Sequence, residues 1–165
     1  GNLRANIVFV GEAPGRKEDE KGIPFCGAAG KNLDKLLAGV GLDRANDVYV
    51  ANILKCRPPK NRDPNPEEIA LHTPWLLKQI KDINPKIVCS LGTYATKFFM
   101  AKGDVSKMKK MPTIGEVHGK VQEVEIDGVK FKLIPLYHPA AIIYRRALLG
   151  AWQEDMEIVK KEIKF

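Results

Sequence analysis

Cysteine is scarce in this chain: 165 residues hold three, Cys26, Cys56 and Cys89, odd in number and widely spaced. That excludes a disulfide framework and points to a reducing, cytoplasmic setting. No apolar run approaches the ~20 residues that cross a bilayer, and no charged-then-apolar leader opens the chain, so a soluble protein without membrane contact is expected. Nucleotide-binding loops are missing as well. There is no G-x-G-x-x-G, and Gly27-Ala28-Ala29-Gly30-Lys31-Asn32 lacks both the first glycine and the final Ser/Thr of a P-loop. Internal repeats and low-complexity tracts are absent. Acids are outnumbered, 20 Asp and Glu against 27 Lys and Arg, a formal net charge of +7. Such a surplus suits a polyanion such as nucleic acid, but it equally describes many small basic proteins.

What is present reads as one folded unit. Hydrophobic residues make up 44% and charged residues 28% of the chain, ordinary for a globular protein, and one domain spanning 1–165 is expected. Ile7-Val8-Phe9-Val10 is a continuous apolar run ending in glycine, as a buried parallel strand does. Leu33, Leu36, Leu37 and Val40 recur at helical spacing. Residues 48–54 predict a second strand, and four prolines forbid regular structure over 55–66. Ile69, Leu76, Leu77, Ile80 and Ile83 form one helical face, with Pro74 predicting a kink or two short helices. A third strand over 86–91 and a helix over 93–101 follow. Residues 117–124 and 130–137 then flank Asp127-Gly128, a hairpin signal. The last helix carries Trp152, Met156, Val159 and Ile163 on one face. Its acids (Glu154, Asp155, Glu157) precede Lys160, Lys161 and Lys164, which suits the helix dipole.

Strands alternating with helices predict an α/β fold: a mostly parallel sheet with helices on both faces. Ligands of such sheets bind beyond the carboxyl ends of the strands. Three segments fall there, 11–15, 52–62 and 138–146. The first, Gly11-Glu12-Ala13-Pro14-Gly15, is a turn whose backbone N–H groups can hold a phosphate or carbonyl oxygen; a tight turn with solvated acids explains it equally well. Asn52 stands in an otherwise apolar strand end. Its amide offers one donor and one acceptor in fixed geometry, matching O4 and N3–H of uracil and mismatching cytosine. A buried polar group left unpaired costs ~1–3 kcal/mol, enough to discriminate. Lys55, Arg57, Lys60 and Arg62 form a basic cluster on a loop that proline stiffens, suited to a phosphate backbone. His138 follows a strand and is placed to stabilise negative charge on a leaving group.

Together these segments resemble the iron–sulfur (family four) uracil-DNA glycosylases. The likeness rests on GEAPGRKEDEKGIPFCGAAGKNLDKLL, VYVANILKCRPPKNRDPNPEEI, PKIVCSLG and YHPAA, in that order. The resemblance implies a three-layer α/β/α fold around a central four-stranded, mostly parallel sheet. It also implies hydrolysis of the N-glycosidic bond of uracil in DNA, leaving an abasic site. By position, Phe25 would stack on a flipped uracil, Asn52 would read its edge and His138 would donate to O2. The Glu12-Ala13 turn would hold the base or the attacking water. Glu18 would lie near the base, either crowding a thymine methyl or positioning water. Asn61 joins Lys55, Arg57, Lys60, Arg62 and Arg145 as expected DNA contacts, and Ile142 is the candidate wedge for the gap left in the duplex. A monomer acting on uracil-containing DNA is implied, with a sliding clamp as a conceivable partner.

The family also holds a 4Fe–4S cluster on four cysteines. Here Cys56 stands at the third ligand position and His72, sixteen residues on, at the fourth; the first pair has no counterpart in these residues. Clusters ordinarily use cysteine thiolates. His72 also falls on the apolar helical stripe, so no cluster is expected in this chain. Two other readings stay open: a glycosylase for another deaminated base such as hypoxanthine, and a non-catalytic DNA-binding relative.

Overall fold

The computed structural model describes residues 1–163; Lys164, read above as part of the final basic turn, lies outside the described residues. Five strands form one sheet in the order β2-β1-β3-β5-β4. They are β1 (Ile7–Gly11), β2 (Val48–Asn52), β3 (Ile87–Leu91), β4 (Gln122–Ile126) and β5 (Val129–Leu136). All pairings are parallel except β4 with β5. The expected count of four is therefore one short. The reason is local: Asp127 and Gly128 both take positive φ, 49° and 80°, and this turn folds β4 back as an antiparallel edge. The register follows, with Ile126 opposite Val129. Residues 117–124 were also expected to be strand throughout. Instead Ile114–Val117 is a short helix, α5, opened by a reciprocal Thr113–Glu116 capping box, and the strand begins only at Gln122.

Every residue of β1 is buried, and its alternate side chains reach opposite faces of the sheet. Ile7 and Phe9 pack with Leu33, Leu37, Trp152, Met156 and Val159. These come from α2 (Ala28–Gly39) and α7 (Leu148–Glu162). Val8 and Val10 pack on the other face with Ile69, Leu76, Ile80, Phe98 and Phe99, which belong to α3 (Pro66–Ile83) and α4 (Thr93–Met100). This is the expected three-layer α/β/α arrangement. Short helices α1 (Arg16–Lys21) and α6 (Ala141–Tyr144) sit in the connections that carry site residues. No helix among the described residues is long and apolar enough to cross a membrane.

Pro74 neither splits nor ends α3, which runs as one 18-residue helix. Pro74 lies on the exposed face, where water can take the carbonyl that loses its intrahelical donor. A capping box of Asn65 and Glu68, with Pro66 at the first position, fixes where α3 starts. The Pro-rich loop is thereby held between β2 and a rigid helix end.

Candidate active site

The sheet order reverses direction at β1: its onward connection goes to β2 on one side, while β3 lies on the other. The crevice at the carboxyl ends of such strands is where α/β sheets bind ligands. Here it holds a cavity of about 300 Å³ lined by Glu12, Ala13, Glu18, Phe25, Asn52 and His138, among others. Residues from three loops and a strand end, far apart in sequence, thus share one wall-to-wall space.

Asn52 ends β2 opposite Gly11. The pairing continues past both strands, Ile53 N–H donating to the Gly11 carbonyl at 3.0 Å and Leu54 N–H to the Glu12 carbonyl at 2.9 Å. Asn52 is therefore clamped to the glycine turn. Its side-chain oxygen is buried and has no hydrogen-bond partner among the described residues. Buried acceptors are normally satisfied, so this one is poised for a donor brought by a ligand. Gly11 is required on steric grounds, since a Cβ there would stand 2.6 Å from Asn52 Oδ1 and against the Phe25 ring.

Phe25 adopts φ 54°, a left-handed backbone unusual for a bulky residue. Arg44 holds it there: one guanidinium nitrogen donates to the Phe25 carbonyl at 2.7 Å and to the Pro24 carbonyl at 3.3 Å. Its neighbour donates to the Gly30 carbonyl at 2.8 Å, and Nε to Asp34 at 2.6 Å. Gly30 leaves room for the Phe25 carbonyl that any Cβ would strike. The Phe25 ring faces the His138 imidazole, centroids 5.9 Å apart and planes 28° from parallel. Glu18 closes the same loop by accepting from Gly27 N–H at 2.7 Å.

His138 Nδ1 accepts from Ala140 N–H at 3.1 Å. That acceptor role places the remaining proton on Nε2, leaving Nε2–H free to donate. Desolvation holds the imidazole pKa down at about 4, so the ring is neutral at pH 7. Glu12 shows the opposite shift, to about 7, caused first by burial and then by the charge of Asp63. An adjoining cavity is lined by Glu12, Asp63, Tyr94, His138 and Arg145. Asp63 and Tyr94 carry no motif of their own. Their place was invisible in the sequence because it depends on α4 and the Pro-rich loop meeting.

The basic loop divides. Lys60, Asn61 and Arg62 are exposed, and Lys60 and Asn61 both take left-handed φ near 55°. Arg57 donates to Asn61 Oδ1 at 2.7 Å, and Arg62 grips Glu68 through two nitrogens at 2.9 and 2.6 Å. Lys55 departs from the group: its ammonium turns inward, to the Asn52 carbonyl at 2.8 Å and Gln79 Oε1 at 2.7 Å. Burial lowers its pKa to about 8. On the last loop Ile142 is half-buried against the core, while Tyr144 is exposed and large.

The two cluster-ligand positions present in these residues, Cys56 and His72, supply one thiol and one imidazole rather than two thiolates. Cys56 is exposed, and His72 Nδ1 accepts Lys55 N–H at 2.9 Å. Cys89 is buried in β3, where desolvation raises its thiol pKa far above the ordinary value, and Cys26 sits in the Phe25 loop. Among the described residues no three His, Cys, Asp or Glu side chains gather where a metal ion could be held.

Comparison with known proteins agrees with this geometry. Residues 1–157 match the family described as the uracil DNA glycosylase superfamily. The type-4 uracil-DNA glycosylase of Archaeoglobus fulgidus is 50% identical over 157 residues, covering 95% of this chain and 76% of its own. Those of Saccharolobus solfataricus and Thermotoga maritima are 43% and 42% identical, covering 99% of this chain each and 74% and 81% of their own. The chain belongs to the uracil-DNA glycosylase superfamily, and its likeness is to the type-4 members.

Proposed function

We propose that this protein is a DNA-repair hydrolase that removes uracil from DNA by cleaving its N-glycosidic bond. The single observation that carries the reading is the buried, unpartnered Asn52 oxygen in a cavity floored by Phe25 and walled by His138. Uracil N3–H supplies the missing donor, and Asn52 Nδ2 donates to O4. A flipped base stacks on Phe25, its extrusion costing a few kcal/mol that the pocket contacts offset. The C1′–N1 bond then breaks with its electron pair left on uracil, and His138 Nε2–H donates to O2 as charge develops there. Water adds to the sugar C1′ and loses a proton, and the released uracil anion takes one up. Fixed donors of this kind are worth roughly 2.7–4 kcal/mol each where removed by mutation. Lys60, Asn61, Arg62 and Arg145 contact the DNA backbone, and the half-buried Ile142 and the exposed Tyr144 of the same loop are the candidates for the wedge.

Glu12 in its carboxylate form faces the positive charge that builds on the sugar and orients the water. Its raised pKa makes the carboxylate the minority below pH 7 and the majority above. Single-turnover excision is therefore expected to rise with pH through about 7, and Glu12→Gln to flatten that rise. A profile unchanged by the substitution would remove Glu12 from the chemistry.

The reading as a whole is checked on matched oligonucleotides carrying uracil, hypoxanthine or neither. Alkali-labile breaks at uracil alone are expected. Breaks at hypoxanthine, or binding without breaks, would overturn it in favour of the alternatives.

A further inference from the structure

Lys55 is the cation of the basic loop that turns away from solvent. Its ammonium lies beneath the Asn52 peptide rather than on the surface, bonded to the Asn52 carbonyl at 2.8 Å and Gln79 Oε1 at 2.7 Å. Gln79 is itself held by its amide nitrogen donating to the Tyr49 hydroxyl at 3.1 Å. The Lys55 backbone is fixed independently by its N–H on His72. Both acceptors of the ammonium are neutral carbonyl oxygens. Glu18 and Asp19 line the cavity behind it, but a Glu18 oxygen is engaged by Gly27 N–H. A partly desolvated cation whose bonds are to neutral groups keeps most of its field, and that field is strongest where water is excluded.

We propose that Lys55 is a positioning residue of the base pocket: it fixes the Asn52 peptide and holds a positive charge behind the pyrimidine edge where the departing base accumulates negative charge. This rests on the uracil-excision reading above. When C1′–N1 breaks, the electron pair spreads from N1 over O2 and O4. O4 meets the Asn52 side-chain amide, and the backbone carbonyl of the same residue accepts from Lys55. His138 and Lys55 thus act from opposite edges of the ring, one as a neutral hydrogen-bond donor and one as a charge at one remove. A solvated loop lysine would have no such geometry, since its free energy would favour the exposed side chain.

The test separates charge from structure through the leaving group. Parent, Lys55→Met, Lys55→Gln and Lys55→Arg are compared in single turnover on DNA carrying uracil or 5-fluorouracil, whose anion is intrinsically more stable. Lys55→Met and Lys55→Gln are expected to lower the saturated rate on uracil at least tenfold, and distinctly less on 5-fluorouracil. The half-saturating enzyme concentration should change less than threefold, and Lys55→Arg should restore most of the rate. Equal losses on both bases, a loss carried by the half-saturating concentration, or unchanged rates would overturn the role of Lys55 alone. Should Lys55→Met not fold, Lys55→Gln carries the same comparison with a donor retained. A parent inactive on both bases would overturn the uracil reading itself.

Discussion

Asn52→Ala is expected to reduce single-turnover uracil excision by roughly 10²–10³-fold while leaving affinity for abasic DNA within a few-fold of the parent. The amide supplies both a donor and an acceptor to one base edge, and its rigidity comes from the continued pairing of Ile53 and Leu54 with the glycine turn. Alanine removes both contacts without disturbing that backbone. The same substitution should not destabilise the fold, because it deletes a buried oxygen that has no partner in the protein. Thermal melting of Asn52→Ala at or above the parent temperature, with activity lost, is the expected pair of results. Activity retained would mean that the base is read elsewhere. A large drop in melting temperature would mean that the amide serves the fold.

His138→Ala is expected to lower excision by a similar factor, again sparing abasic-site binding. The reason differs: a donor at O2 is lost, at the other edge of the base. Because the imidazole is held near pKa 4, its neutral form persists across the working range, and the His138 contribution to rate should be flat from pH 5 to 8. Stability carries a signature of the same shift. A histidine ordinarily near 6.5 but lowered in the fold binds more protons when unfolded, so stability falls as pH drops from 6.5 towards 4 and is unaffected above. His138→Ala should lose that part of the acid sensitivity. Melting curves of parent and variant at pH 4.5 and 7.5 check it. A parent no more acid-sensitive than the variant would place the imidazole in water.

Much of the site was legible before the fold was known. The end of the first strand could be placed because residues 7–10 read as an apolar run stopped by Gly11, the pattern that burial on both faces requires, whereas the second strand, expected over 48–54, stops two residues earlier at Asn52. Asn52 and His138 stood out as polar residues just where apolar runs end. The hairpin was legible because Asp127-Gly128 is a local signal. Failures came where a local signal was outvoted. Pro74 allowed a kink or two short helices, and α3 runs through it as one helix because its exposure lets water take the freed carbonyl. Residues 114–117 form a helix because Thr113 and Glu116 satisfy each other's backbone, which outweighs the β propensity of Val117. The fifth strand was present in the residues, but counting strands by resemblance left it out.

The scarcity of cysteine and the basic surplus bound the class of protein, the glycine, asparagine and histidine near three strand ends marked where a ligand would bind, and the motif resemblance supplied the chemistry. Those are properties of local residue order, so one sequence suffices to read them. Only the tertiary structure decided what each group does there. Lys55 and Lys60 are five residues apart in one basic loop, yet one lies beneath Asn52 and the other in solvent. Arg44 looks like an ordinary surface arginine until its guanidinium closes on the Phe25 carbonyl. Glu12 acquires its raised pKa from burial and from Asp63, a residue from another loop. Charge count and spacing are additive along the chain, whereas desolvation and hydrogen-bond partners arise only when distant segments meet, and it is these that set protonation, orientation and field in the pocket.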